Sequence, residues 1–315
     1  MESPLDCWSI DKLLGHGEVL LKTGQWSDCQ FVLGEEPQQE IVKCHKVYLA
    51  KFSPVFEAMF FGVMAETSSL IPIKDIQPEV FKIFLKYMYT DKVELDSLEL
   101  AFELCYCAQK YIVTLLVEEC MKYVHSKILP ENACRIYEFA RLFDDSVIMD
   151  KCMYVIRTNT VTIFRDPSWE DVQLTTVLTI LEQNELQISS EIELFRAVER
   201  WAKSECRRKS LDPTNEKSMK SVVGNALSKI RFLSLTAQEF ANGPGVSPLL
   251  TRDESSVIFA NILKQEKFQP FTSNKYQKQY AIFPHKQKNQ QYYPCYKQKF
   301  VAIAYHGQKN IGYRR

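Results

Sequence analysis

Cys29, Phe31 and Leu33 alternate with Asp28, Gln30 and Val32. This period of two predicts a strand with one buried face. Gly34, Glu35, Glu36, Pro37 and Gln38 then supply turn chemistry, and residues 41–44 predict a second strand, so the pair reads as a hairpin. The period next becomes helical, with a short helix from Lys46 to Ala50 and another opened by Ser53 and Pro54. Ser53 suits the cap and Pro54 the first helical position, and Glu57 favours the positive end of the dipole. Val55, Phe56, Met59 and Phe60 form its apolar stripe. Residues 70–73 predict a strand at whose edge or bulge Pro72 belongs, because proline has no N–H to give a ladder. Residues 78–89 predict a helix facing inward through Phe81, Phe84, Leu85 and Met88, and residues 92–95 one more short strand. Asp96 and Glu99 have capping-box spacing. They would open a long helix whose stripe runs through Leu98, Ala101, Phe102, Cys105, Ala108 and Ile112, then Val117, Cys120, Met121 and Val124, to about His125. Ahead of all this, residues 5–25 are amphipathic and interrupted by Gly15 and Gly17.

Pro130 marks a boundary, and the pattern beyond it is helical throughout. Asn132 would cap a helix carrying Ala133, Ile136, Tyr137 and Ala140. Later apolar runs include Met149, Met153 and Ile156, residues 172–181, the stretch from Glu191 to Ala202 behind Ser189 and Ser190, and a run from Val222 to Phe232. Short linkers between such helices predict stacked antiparallel pairs. Trp201 on an apolar face reads as a core anchor. The fold class expected is therefore α+β followed by an all-α solenoid of helical pairs.

Composition sharpens the picture in three places. First, 315 residues with 46% apolar content suffice for two domains with sizeable cores. Second, the balanced charge is unevenly spread: eleven Lys or Arg but one acid, Glu266, fall from Lys264 onward, so an acidic body carries a basic tail. That tail interleaves Tyr276, Tyr280, Phe283, Tyr292, Tyr293, Tyr296 and Phe300 with lysines. Such a mixture can serve single-stranded nucleic acid or an anionic membrane, but no RNA-binding motif accompanies it. A polar extension is expected, with no nucleic-acid partner. Third, the ten cysteines include no C-x-x-C and the histidines no ligand-spaced pair, which predicts reduced, buried thiols. Cys105 and Cys107, two apart, point to different helix faces. The start of the chain has no basic flank or apolar run of a signal peptide, and no stretch approaches a membrane span. Phosphate loops, G-x-S-x-G and H-E-x-x-H are missing, so neither catalysis nor a cofactor or metal is expected, and His45 is expected to be structural.

In its order of parts the segment resembles the BTB/POZ domain. The resemblance is carried by Ser27-Asp28, Cys44-His45-Lys46, Leu49-Ala50, Ser53-Pro54-Val55-Phe56, Ala58-Met59-Phe60, Ile73-Lys74-Asp75-Ile76, Pro78-Glu79-Val80-Phe81 and Leu85-Lys86-Tyr87-Met88-Tyr89-Thr90. It implies a homodimer paired through the N-terminal helix, with Leu13, Leu14, Leu20 and Leu21 at the interface. It also implies an acid–base pair, Asp28 and Lys46, near that interface. Met64-Ala65-Glu66 fits the apolar-x-Glu pattern on the cullin-facing loop of family members that serve cullin-3 ubiquitin ligases. On that basis Phe60, Phe61, Met64, Glu66 and Tyr111 are the expected cullin-binding residues.

The helical region resembles the BACK domain through Asn132-Ala133-Cys134, Ala140-Arg141-Leu142-Phe143, Glu193-Leu194-Phe195-Arg196-Ala197-Val198, Trp201-Ala202 and Ile230-Arg231-Phe232. Its first helix pair, about 131–157, would extend the cullin contact. Glu239-Phe240-Ala241-Asn242-Gly243-Pro244 and Leu249-Leu250-Thr251 resemble the connection found in the cytoplasmic BTB–BACK–PHR group. Residues 300–305 would be a strand of a PHR domain with no room for its remainder. The division expected is 1–25 for dimerisation, 26–129 for BTB/POZ, 130–265 for BACK and 266–315 for the tail. The resemblance implies a cytoplasmic, non-catalytic, dimeric adaptor that recruits an unidentified protein substrate to cullin-3. The alternatives are a short inhibitory form that binds cullin without substrate, or a BTB transcriptional regulator, although zinc-finger spacing is absent.

Overall fold

The computed structural model describes residues 10–37 and 39–268. Helix α1 (Ile10–Thr23) leads into a three-stranded sheet of β1 (Cys29–Leu33), β2 (Glu40–Cys44) and β3 (Leu70–Ile73). β1 lies in the centre, antiparallel to β2 with Cys29 opposite Cys44, and parallel to β3 with Leu33 opposite Ile73. The expected alternation holds, since Cys29, Phe31 and Leu33 are buried, joined from β3 by Ile71 and Ile73. Pro72 sits on the edge strand, where its missing N–H breaks no ladder on the open side.

Helices α2 (Lys46–Ala50), α3 (Pro54–Phe61) and α4 (Pro78–Thr90) cover the sheet. The Ser53 side chain accepts the Phe56 N–H, and Pro54 occupies the first turn, as their residue types predict. Phe31 meets Phe56 and Phe81 edge-on, with ring centres 5.8 and 5.2 Å apart. Burying each ring contributes roughly 1.5–3 kcal/mol. Gly17 lies where α1 crosses the end of α4: a Cβ there would stand 2.1 Å from the Tyr89 carbonyl oxygen. The glycine that interrupts the amphipathic pattern is what lets the two backbones approach.

Three expectations fail in the next segment. Residues 92–95 form no ladder; Val93 and Leu95 merely lean on the core from an extended connection. The long helix is two helices, α5 (Leu98–Lys110) and α6 (Thr114–Ser126), parted at Ile112 with φ +55°. The cap of α5 is Ser97, which accepts the Leu100 N–H, rather than Asp96.

Beyond residue 132 the described chain is helical: α7 (Ala133–Leu142), α8 (Ser146–Thr158), α9 (Thr160–Arg165), a 3-10 turn (Pro167–Asp171), α10 (Leu174–Leu181), α11 (Glu191–Arg208), α12 (Glu216–Val223), α13 (Ala237–Ala241) and α14 (Arg252–Phe268). Asn132 precedes α7 but does not cap it. Its side chain accepts the Leu129 N–H and donates to the Lys127 carbonyl, fastening the linker instead. The run expected from Val222 to Phe232 breaks at Gly224, φ +53°, into 3-10 turns.

Two apolar cores result. The first spans the sheet and α2–α6 but also takes in Ile136, Tyr137, Phe139, Ala140, Ile148 and Cys152 from α7 and α8. The second gathers α9–α14 around Phe195 and Trp201. Pro130 thus marks a change of pattern along the chain and not the edge of the first core. The tail beyond residue 268, with its aromatic residues and residues 300–305, lies outside the described residues.

Candidate partner-docking surfaces

The loop after α3 carries the first candidate surface. Phe60 and Tyr111 belong to an aromatic row beneath it: Tyr111 stacks on Phe56 at 4.4 Å, Phe56 on Phe60 at 5.8 Å, and Phe60 meets Phe61 edge-on at 6.4 Å. Ser53 Oγ locks this row by donating to the Tyr111 carbonyl at 2.6 Å. Tyr111 is 2% exposed and Phe60 is buried, so neither side chain has a face to offer a partner. In this chain they form the floor under the loop.

Phe61 and Met64 do face outward, 62% and 93% exposed, with Val63 fully exposed between them. Three apolar side chains so close together in water are uncommon on a surface with nothing to meet. The loop is nonetheless fixed. Glu66 N donates to the Met59 carbonyl at 2.7 Å, and the Glu66 carboxylate accepts the Ser68 N–H at 2.9 Å. Gly62 is needed at its start, because a Cβ there would stand 2.3 Å from the Ala58 carbonyl oxygen. Glu66 therefore shapes the loop while Met64 and Phe61 project from it.

The second candidate surface surrounds α1. Leu20 and Leu21 are half-buried against the chain's own first core, while Val19 on the next face is exposed. The side chains of Leu13 and Leu14 lie outside the described residues. Asp28 and Lys46 do come together, but not as an ion pair: the Asp28 carboxylate accepts the Lys46 backbone N–H at 2.8 Å. The Lys46 ammonium instead lies 5.5 Å from the centre of the Phe60 ring. An acid beside the first N–H of a helix satisfies an orphan donor, which a side-chain pair would not do.

Sequence reasoning missed Trp26, which is 78% exposed with φ +63° in the turn before β1. An isolated Trp next to Gly24 and Gln25 was the available signal. Val47 on α2 is exposed as well. Between them lies a buried polar network. His45 Nε2–H donates to the Gln25 carbonyl at 2.6 Å, and Tyr89 O–H donates to His45 Nδ1 at 2.8 Å while accepting the His45 N–H at 2.8 Å. A carbonyl only accepts, so the ring carries its proton on Nε2. Every polar atom is used, and His45 is structural.

Eight described cysteines are free and buried. Burial pushes the Cys29, Cys134 and Cys152 thiols up to about 12, which leaves them inert as nucleophiles. Among the described residues no group of three or more His, Cys, Asp or Glu is placed to hold a metal, and no helix is long and apolar enough to cross a membrane. A polar cleft of about 520 Å³ beside α9 is lined by Asn159, Thr160, Gln187, Ser189 and Glu193. Its one acid already accepts the Ser189 N–H at 2.9 Å.

Comparison with known proteins agrees with this architecture. Residues 18–128 match the BTB/POZ domain family, and residues 133–243 match the family described as BTB And C-terminal Kelch, BACK. BTB/POZ domain-containing protein 6-A of Danio rerio is 35% identical over 241 residues, which are 76% of this chain and 44% of that protein. The human BTB/POZ domain-containing protein 6 is 35% identical over 233 residues, 74% of this chain and 43% of its own length. Mouse BTB/POZ domain-containing protein 3 is 32% identical over 241 residues, 76% of this chain and 45% of its own. The chain thus spans less than half the length of these relatives. The solved BTB domain of zebrafish PATZ1 matches 38% of this chain and 98% of its own, at 24% identity and a TM-score of 0.32. With both family models matched in order, over the segments that build the two cores, the chain belongs to the BTB/POZ–BACK proteins, whose domains are non-catalytic protein-interaction modules.

Proposed function

We propose that this protein is a homodimeric adaptor that docks on cullin-3 through the Phe61–Met64 loop and brings a protein substrate to the ubiquitin ligase in the cytoplasm. The observation that carries the reading is a 93% exposed Met64 on a loop pinned at both sides of Glu66. Pre-ordering an apolar side chain in water has no use in the free chain, but it removes the ordering cost when a partner covers it. Met64 and Phe61 are the inserting groups in this reading, Glu66 sets the loop, and Phe60 and Tyr111 support it. The exposed Leu142, Val147 and Tyr154 of α7 and α8 would extend the contact. Dimerisation would cover Val19, Trp26 and Val47, and buried reduced thiols suit the cytoplasm.

Purified chain is tested for capture of cullin-3 and for mass in solution. Met64→Ala/Glu66→Ala is expected to lose cullin and keep the dimer, whereas Trp26→Ala/Val47→Asp is expected to lose the dimer. Undiminished cullin binding by the first variant would sink the loop as the docking site.

A further inference from the structure

We infer that Ser210 is a phosphorylation site for an arginine-directed serine/threonine protein kinase. The residues are Arg207-Arg208-Lys209-Ser210-Leu211, at the end of α11. Two guanidinium groups at the third and second positions before a hydroxyl suit an acid-lined peptide cleft, because each can form charge-assisted pairs with carboxylates. An apolar residue directly after the hydroxyl suits the pocket that seats the next side chain. Charge patterns of this kind are how kinases select substrates.

The structure presents these residues outward. Arg207, Arg208, Lys209 and Ser210 are all exposed, and Leu211 is 37% exposed. Among the described residues the Ser210 hydroxyl makes no hydrogen bond and Arg207 no ion pair. Arg208 pairs with Asp171 at 2.8 Å and with Glu205 at 2.7 Å, and Lys209 pairs with Glu205 at 3.0 Å. Glu205 is only 19% exposed, but Arg208, Lys209 and Asp171 stand at the surface, where the pair with Asp171 is one that a competing carboxylate displaces at little cost.

A kinase must also draw the segment out, and here that is cheap. Ser210 has φ +55°, its N–H donates to the Arg207 carbonyl, and the Leu211 N–H donates to the Cys206 carbonyl. Cys206 is the last buried residue of α11. Unwinding the chain beyond Cys206 breaks these two hydrogen bonds and that of the Lys209 N–H to the Glu205 carbonyl, besides the last helical ones, and takes no residue out of the second core. On the far side, Asn215 caps α12 by accepting the Lys217 and Ser218 N–H groups, so the loop stops there.

The step itself transfers the γ-phosphoryl group of Mg·ATP to Ser210 Oγ. An O–P bond forms at the hydroxyl, the bond to the β-phosphate bridging oxygen breaks, ADP leaves, and the hydroxyl proton passes to the kinase's base. The product carries about two negative charges beside Arg207 and Lys209. It converts a basic helix end into a phosphate mark.

The test is phosphorylation of the intact, folded chain by the catalytic subunit of the cyclic-AMP-dependent kinase, with an acid-directed kinase as control. Sites are mapped by mass spectrometry, and rates are taken for Ser210→Ala, Ser210→Thr and Arg207→Gln. Expected is a phosphate at residue 210, lost in Ser210→Ala and restored in Ser210→Thr. Arg207→Gln, which disturbs no ion pair, should slow it roughly tenfold to a hundredfold, the loss of one charge-assisted pair. Circular dichroism unchanged across the variants ties these results to recognition. Absence of label at Ser210 in the native chain, or an undiminished rate in Arg207→Gln, overturns the assignment.

Discussion

The two cores hold their polar groups in different ways. In the first, a few buried groups satisfy one another: Tyr89, His45 and Gln25 form one network, and Ser53 serves both the Phe56 N–H and the Tyr111 carbonyl. In the second, Thr160 donates to the Ile156 carbonyl one turn back, and two indoles make the longer reaches between elements. Trp169 Nε1–H donates to the Ala197 carbonyl of α11 at 2.8 Å, and Trp201 Nε1–H from α11 donates back to the Val172 carbonyl at 2.6 Å. Both rings are buried, so each supplies a large apolar area and closes a backbone acceptor. Where a sheet supplies the frame, polar contacts adjust it. Where only helices and 3-10 turns exist, the anchoring side chains must also be the fasteners.

The largest effect should therefore come from the indole clamp. Trp201→Ala is expected to cost about 3–5 kcal/mol, from the lost ring and its cavity, with the Val172 carbonyl left unpaired besides. Hydrogen exchange is the sharper readout. Amides of α11 and of residues 167–172 should lose protection while those of β1 keep theirs. Equal loss in β1 would show that the two cores unfold as one unit, through the α7–α8 residues that lie in the first core.

Tyr89→Phe comes next. It leaves the His45 N–H without its acceptor and His45 Nδ1 without its donor inside a closed core, a loss of about 1–3 kcal/mol. Denaturant midpoints at constant slope would measure it. A change of only a few tenths would mean that water reaches the site.

Much of this was legible in the sequence, for physical reasons that differ by residue. Cys29, Phe31 and Leu33 announce a strand because period two has few other causes, and Ser53-Pro54 announces a helix start because each residue has one suitable place there. The break at Ile112 was hidden. No Gly or Pro marks it; the one sign is the step of five residues from Ile112 to Val117, which departs from the helical spacing of three or four. Asp96 and Ser97 are both able caps, and only the true first turn chooses between them. Trp169 was overlooked because its neighbours Ser168, Glu170 and Asp171 are polar, so periodicity gave no sign of burial. As for the candidate docking surfaces, the order of motifs pointed to the loop after α3 but could not separate Met64, which projects, from Phe60 and Tyr111, which lie beneath.

The smallest effect tests the seam between α5 and α7. Arg135 on α7 pairs with Glu99 on α5 and lies 5.1 Å from the centre of the Phe102 ring, while Phe102 stacks on Phe139 at 4.2 Å. The bond to Arg135 holds the Glu99 carboxyl below its ordinary value of 4.5. A depressed folded value means that the stabilisation is complete above the ordinary carboxylate range and fades as pH falls through the folded value. Both side chains are more than half exposed, so screening limits the pair to about 0.2–1 kcal/mol. A double-mutant cycle of Glu99→Gln and Arg135→Gln at pH 7 should return a coupling of that size, and the same cycle near pH 3 should return less. The stack of Phe102 on Phe139 titrates with nothing, so Phe139→Ala should cost the same at both values. If the Glu99–Arg135 coupling were equally indifferent to pH, the guanidinium would be acting through its flat contact with Phe102, and α7 would be held to α5 by apolar packing alone.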